Sequence, residues 1–81
     1  MKLSIQNIEK TLFDDEIRSL NVATESGEIT VLEGHLPLVT VTRPGPARIL
    51  DNSGTSRSIE LGSSGFLEVK PEKGGVTILV E

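Results

Sequence analysis

Turn residues recur so often along this chain that no helix has room to form between them. Apolar residues come in short stretches that alternate with polar ones, and each stretch soon meets glycine, proline, asparagine or serine. A period of two puts successive side chains on opposite faces of an extended backbone, which is the pattern of a half-buried strand. Leu3 and Ile5 alternate with Lys2, Ser4 and Gln6; residues 11–14 form a brief second strand around Leu12 and Phe13. A third strand covers residues 16–23, with Ile17 out of phase with Leu20 and Val22, and such a one-residue slip implies a bulge. After a turn at residues 25–27, Ile29 and Val31 mark the next strand. Val39 and Val41 alternate with Thr40 and Thr42 as far as a stop at Pro44-Gly45-Pro46. Ile49 on one side of Asn52-Ser53-Gly54, and Ile59 and Leu61 on the other, read as a hairpin with a polar turn. Residues 62–65 break the chain before a strand at 66–70, residues 71–75 turn again, and Val76, Ile78 and Val80 close the fold. No window of eleven or more residues carries a 3.6-residue period. The expected fold is all-β: one domain over residues 1–81, a flattened sandwich or barrel of eight to ten short, mostly antiparallel strands.

The apolar stock fits a single thin core between two layers. It is almost wholly aliphatic, with ten Leu, seven Ile and seven Val against two Phe and no Trp or Tyr. A chain of this length buries only about 60–65% of the surface its unfolded form exposes, so stability is modest. Cysteine is absent, which removes disulfide scaffolds, thiolate metal sites and thiol nucleophiles. The net charge is −4, and residues 1–35 hold the whole imbalance. Seven acids there (Glu9, Asp14, Asp15, Glu16, Glu25, Glu28, Glu33) face Lys2, Lys10 and Arg18, whereas the rest of the chain is balanced. An acidic chain almost free of aromatics is a poor nucleic-acid binder, since phosphate neutralisation needs clustered Lys and Arg. No charged-then-apolar leader opens the chain, and no apolar run approaches the length a bilayer demands, so a soluble protein without direct membrane insertion is expected.

No catalytic constellation stands out. His35 is the only histidine. Ser63 and Ser64 lie in a glycine-flanked break with no helix after them, unlike a nucleophile elbow. Asp14, Asp15 and Glu16 are contiguous and read as a solvated turn rather than an acid–base pair. One histidine and no cysteine leave carboxylates to supply most of any zinc site, and Gly62-Ser63-Ser64-Gly65 is too short for a phosphate loop and lacks the following lysine. We therefore expect no enzyme, no cofactor and no metal. A lipoyl- or biotinyl-type carrier is a second class of small acidic β-sandwich, with Lys70 or Lys73 as its modifiable lysine, but the surrounding EVKPEKGG lacks the carrier flanking motif. A free-standing β-sandwich adaptor is a third.

The stretch SGEITVLEGHLPLVTVTRPGP, residues 26–46, resembles the signature of the epsilon subunits of F-type ATP synthases. Gly27-Glu28, Val31-Leu32, Gly34-His35, Pro37-Leu38, Thr40 and Pro44-Gly45 all fall in register with it. Glu9-Lys10-Thr11-Leu12-Phe13, followed by Glu16 and Ile17, resembles the family's opening, with Asp15 where a turn glycine is usual. SGFLEV at 64–69 and GVTIL at 75–79 resemble its closing strands. Thr30, Glu33 and Ser64 depart from the usual residues. The resemblance covers essentially the whole chain and implies the N-terminal β-sandwich, without the two-helix C-terminal hairpin that usually follows it in the family. It further implies a non-catalytic central-stalk subunit of a proton-translocating (sometimes sodium-translocating) synthase, monomeric and one per complex, that docks on the gamma subunit and the c ring and couples ion-driven rotation to ATP synthesis. The place it implies is the cytoplasmic face of a bacterial inner membrane, as a peripheral part of the synthase. By the same resemblance, Glu28, Glu33, Gly34, His35 and Leu38 lie on the edge that faces the c ring and gamma, where acids would meet basic loops.

Overall fold

The computed structural model describes residues 1–81. Eight strands make up the fold: β1 (Lys2–Gln6), β2 (Thr11–Thr24), β3 (Gly27–Leu32), β4 (Leu38–Thr42), β5 (Gly45–Asp51), β6 (Ser56–Leu61), β7 (Gly65–Lys70) and β8 (Gly75–Val80). The only helical element is one 3-10 turn, Pro71–Lys73, between β7 and β8.

β2 organises the rest. Its first half pairs with β1 and its second half with β3, both antiparallel, while Ile17–Asn21 also pair with β5. The β5 pairing slips by one residue between Ile17 and Ser19. That is the bulge expected from the phase of Ile17, and it lets Ile17, Leu20 and Val22 all point inward despite their uneven spacing. Arg18, the extra residue, instead reaches out and donates from Nη2 to the Asn52 carbonyl at 2.9 Å.

Two sequence expectations need correcting here. Residues 11–14 and 16–23 are one 14-residue strand, because the acids between them stay extended rather than turning. Asp14, Asp15 and Glu16 are all exposed, and Asp14 sits 3.3 Å from Lys2 Nζ, so solvent and cross-strand cations satisfy charge on a strand as readily as in a loop. Asp15 needs no positive φ, since no residue but glycine has one. β4 does end at Thr42, just before Pro44, but Gly45 and Pro46 are not outside a strand: β5 begins at Gly45, and only Arg43 and Pro44 separate it from β4.

The chain closes through its two ends. β1 pairs in parallel with β8, from Lys2↔Gly75 to Gln6↔Leu79; β8 pairs with β7, and β7 with β4. β4 then touches β2 at Thr24↔Thr42. Leu3, Ile5, Leu67, Val69, Val76 and Ile78 from this layer meet Leu20, Val22, Val31, Ala47, Ile49 and Leu61 from the layer of β2, β3, β5 and β6, in one aliphatic core. In β4 the valines turn outward: Thr42 is fully buried, whereas Val39 is 68% exposed.

Candidate interaction site

The loop between β3 and β4 is built by a turn and a glycine. The His35 amide donates to the Leu32 carbonyl at 3.0 Å, and Gly34 holds φ 83°, a left-handed conformation that favours glycine. The His35 ring donates from Nδ1 to the Leu36 carbonyl at 2.6 Å, which fixes the imidazole against its own loop. Glu33 is tied to the far end of the chain. Its Oε1 accepts from the Met1 ammonium at 3.2 Å; Glu16 Oε1 lies 3.4 Å from the same nitrogen, and the Ile17 carbonyl accepts from it at 3.2 Å. Burial is the largest single influence on this amine and lowers its pKa. Hydrogen bonds and charge from Glu33 and Glu16 together outweigh it, so the amine titrates above its ordinary 8.0. Met1, Glu33, His35, Val69, Pro71 and Gly74 line a cleft of about 260 Å³ at this end of the sandwich.

Of the residues singled out from the sequence, the fold thus brings together Glu33, Gly34 and His35. Leu38 stands close by, half-buried at the start of β4, as the cross-strand neighbour of Val69. Glu28 does not join them. It sits five residues back along β3, roughly 16 Å at 3.3 Å per residue, and its Oε1 lies 3.8 Å from Arg48 Nη1 on the outer face of the other layer.

One surface escaped the sequence reading. Val41, Phe66 and Leu79 are direct cross-strand neighbours on the outer face of β4, β7 and β8, with Val39 next to them. Phe66 is 58% and Leu79 51% exposed, so with Val39 they make an apolar strip facing solvent. Leu36, on the candidate loop, is also exposed. The signal was present in the sequence. In GFLEVK the alternation that buries Leu67 and Val69 necessarily turns Phe66 outward, and Leu79 stands between the inward Ile78 and Val80. Contiguous exposed apolar side chains on an otherwise polar domain mark contact surfaces.

Comparison with known proteins gives this geometry a setting. The family model described as "ATP synthase, Delta/Epsilon chain, beta-sandwich domain" matches residues 1–81. The chain belongs to that family. Among solved structures, this delta/epsilon sandwich is similar to a chain of the Euglena gracilis mitochondrial ATP synthase, in a structure of OSCP, F1 and the c ring. Identity there is 25% and the TM-score 0.86, over 96% of this chain and 48% of that one. It is also similar in fold to a chain of the Tetrahymena thermophila mitochondrial ATP synthase, in a structure of the central stalk and c ring, at 15% identity and a TM-score of 0.76, over 98% of this chain and 61% of that one. The sandwich therefore spans about half to three-fifths of the chains it matches.

Proposed function

We propose that this sandwich is a non-catalytic part of the ATP synthase rotor, held between the gamma subunit and the c ring, one copy per complex. The observation that carries the reading is the family match over residues 1–81, alongside fold similarity to chains in structures that contain the c ring. The coupling it serves is mechanical: ion flow turns the ring, and a stiff body fixed to ring and gamma keeps the two from slipping. A closed β-sandwich suits that task, because its loops project from a rigid scaffold. In a bacterial cell the site of action is the cytoplasmic face of the membrane that holds the ring.

Two surfaces serve the docking. The loop at Glu33, Gly34 and His35, with Leu38 behind it, presents one carboxylate and a fixed imidazole at one end of the sandwich. The strip of Val39, Phe66 and Leu79 offers apolar contact along an adjoining face. Glu28 is a flanking contact, separate from the loop and held by Arg48.

The test is co-purification with gamma and the c ring, followed by ATP-driven proton pumping in reconstituted vesicles. Retention of the chain with both partners, and its loss on replacing Phe66 and Leu79 by Thr, is expected. Exposed ion pairs are individually worth about 0.2–1 kcal/mol, so reversing both Glu28 and Glu33 to Lys weakens retention by about 1–3 kcal/mol at low salt, with Glu33 the larger contributor. A chain that travels with neither partner, while folded, would refute the rotor assignment.

A further inference from the structure

Charge at one corner of the outer sheet runs against the balance of the whole chain. The register places Lys2 of β1 and Lys70 of β7 on either side of Gly75 of β8, each its direct cross-strand neighbour. Side chains opposite one another across a ladder share a face, and both lysines are exposed on the outer one. Gly75 contributes no side chain, so the two lysine stems flank a strip of bare backbone and stand roughly 10 Å apart at the usual strand spacing. Lys73 overhangs this strip from the 3-10 turn. The neighbouring row, Ser4↔Thr77, adds two hydroxyls. These groups line a cleft of about 340 Å³ that adjoins the one beside Glu33 and His35, with Gly75 common to both.

The lining of the cleft carries more positive than negative charge. Three lysines and one carboxylate, Glu68, line the cleft itself, with Asp14 and Glu16 across β1 from Ser4 and Lys2 at its border, in a chain whose net charge is −4. Lys70 Nζ lies 3.6 Å from Glu68 and Lys2 Nζ 3.3 Å from Asp14, while Lys73 makes no ion pair. Pairs this exposed contribute little and yield readily to a better anion. Ser4 Oγ accepts from Gln6 Nε2 at 2.8 Å, which leaves its own O–H free to donate into the cleft.

We propose that this cleft binds a phosphate group. Ammonium groups from three separate elements, with hydroxyl donors at the floor, match a tetrahedral anion whose several oxygens each accept strong charge-assisted bonds. A carboxylate keeps its acceptor sites in one plane, whereas phosphate presents oxygens in tetrahedral directions, which suits three lysines spread around a cleft better. The bare backbone at Gly75 lets the anion settle between the stems; an added Cβ there would meet only the Lys2 and Lys73 carbonyl oxygens, both at 3.8 Å, so the position tolerates a side chain that fills the slot. The phosphate is either a free ion or the headgroup of an anionic phospholipid, and the inference stands apart from docking to gamma or the ring.

The experiment titrates the full 81-residue, ¹⁵N-labelled chain with inorganic phosphate at pH 7 and constant ionic strength, with chloride as control, and separately sediments it with phosphatidylglycerol or phosphatidylcholine vesicles. Saturable amide shifts centred on Lys2, Lys70, Lys73 and Gly75, absent with chloride, are expected. Retention on phosphatidylglycerol vesicles that added phosphate releases identifies a headgroup as the source, and shifts with phosphate without vesicle retention identify a free ion. The K70Q/K73Q variant should weaken binding at least fivefold, and Gly75→Val should weaken it comparably while keeping every charge. Two results would overturn the proposal. One is the lack of saturable shifts together with no preference for phosphatidylglycerol; the other is binding that survives both variants with their remaining amide spectrum unchanged.

Discussion

Thr24 and Thr42 face one another where β2 touches β4, both buried, yet only one hydroxyl has work there. Thr24 Oγ1 donates to the Gly27 carbonyl at 2.7 Å and accepts from the Ser26 amide at 3.1 Å, closing the turn before β3. Thr42 Oγ1 has no partner. A buried hydroxyl left unbonded forfeits its hydration without return, whereas a bonded one contributes about 1 kcal/mol. Thr42→Val, nearly the same shape, is therefore expected to stabilise the fold by about 1 kcal/mol, and Thr24→Val to destabilise it by about as much. Urea unfolding of both variants checks the pair, and a loss of stability in Thr42→Val contradicts the account. Gly65 obeys a steric rule rather than a polar one. A Cβ there would overlap the Leu79 carbonyl oxygen and come within 3.0 Å of Val80 Cα, so β7 and β8 would have to part. Gly65→Ala should cost about 2–3 kcal/mol, a fall in melting temperature of roughly 10–20 °C for a domain this small.

At the scale of elements, the Met1 amine joins the start of β1, the bulge of β2 and the loop after β3. Its pKa is raised in the folded state, so the tether contributes fully below the amine's ordinary 8.0 and is lost as pH rises through the higher folded value. Amide signals of Ile17, Glu33 and His35 should move together in one step above pH 8, and Glu33→Gln should bring that step to lower pH; titration at unrelated midpoints would show that the tether is not one unit. Asp51 works in the opposite sense. Hydrogen bonds from the Ser53 hydroxyl and then the Thr55 amide hold its carboxyl below the ordinary 3.8, so its support of the β5–β6 turn is lost only as pH falls through that lower value. That hairpin was legible from Asn52-Ser53-Gly54 between alternating strands, as was the bulge at Ile17, because both are written in local spacing. The long β2 was not, since three contiguous acids look like a turn unless the cations opposite them, Lys2 and the Met1 amine, are already in place. The same limit applied to the candidate site. Glu33, Gly34 and His35 are adjacent in the chain and stayed together in space, but the separation of Glu28 at the far end of β3 depends on how the strand runs, and the partnership of Glu33 with Met1 spans 32 residues.

The whole molecule depends on a pairing that no local pattern announces: β1 lies between β2 and β8, bonded antiparallel to one and parallel to the other. The parallel ladder makes the first strand and the last direct neighbours, so the sandwich is complete only when both ends of the described chain are in place. Leu3 and Ile5 are fully buried at its centre, and each contributes about 1.5–3 kcal/mol by burial. Net stability for a domain of this length is about 4–12 kcal/mol. Removing residues 1–6 would therefore subtract roughly 3–6 kcal/mol of apolar burial and leave facing edges of β2 and β8 without partners, open to pairing with other chains. The shortened chain is expected to be unfolded or aggregated at 25 °C, with collapsed amide dispersion and no cooperative thermal transition. Adding a peptide of residues 1–6 at excess should restore dispersion in proportion to its concentration, because a strand that binds only the folded form stabilises it by mass action. A truncated chain that unfolds cooperatively near the parent's midpoint would show that β8 and β2 close on each other without β1. The requirement also bears on the proposed rotor role, since a body meant to transmit torque must not open along a seam, and the seam here is sealed by β1 and β8, the first and last strands of the fold.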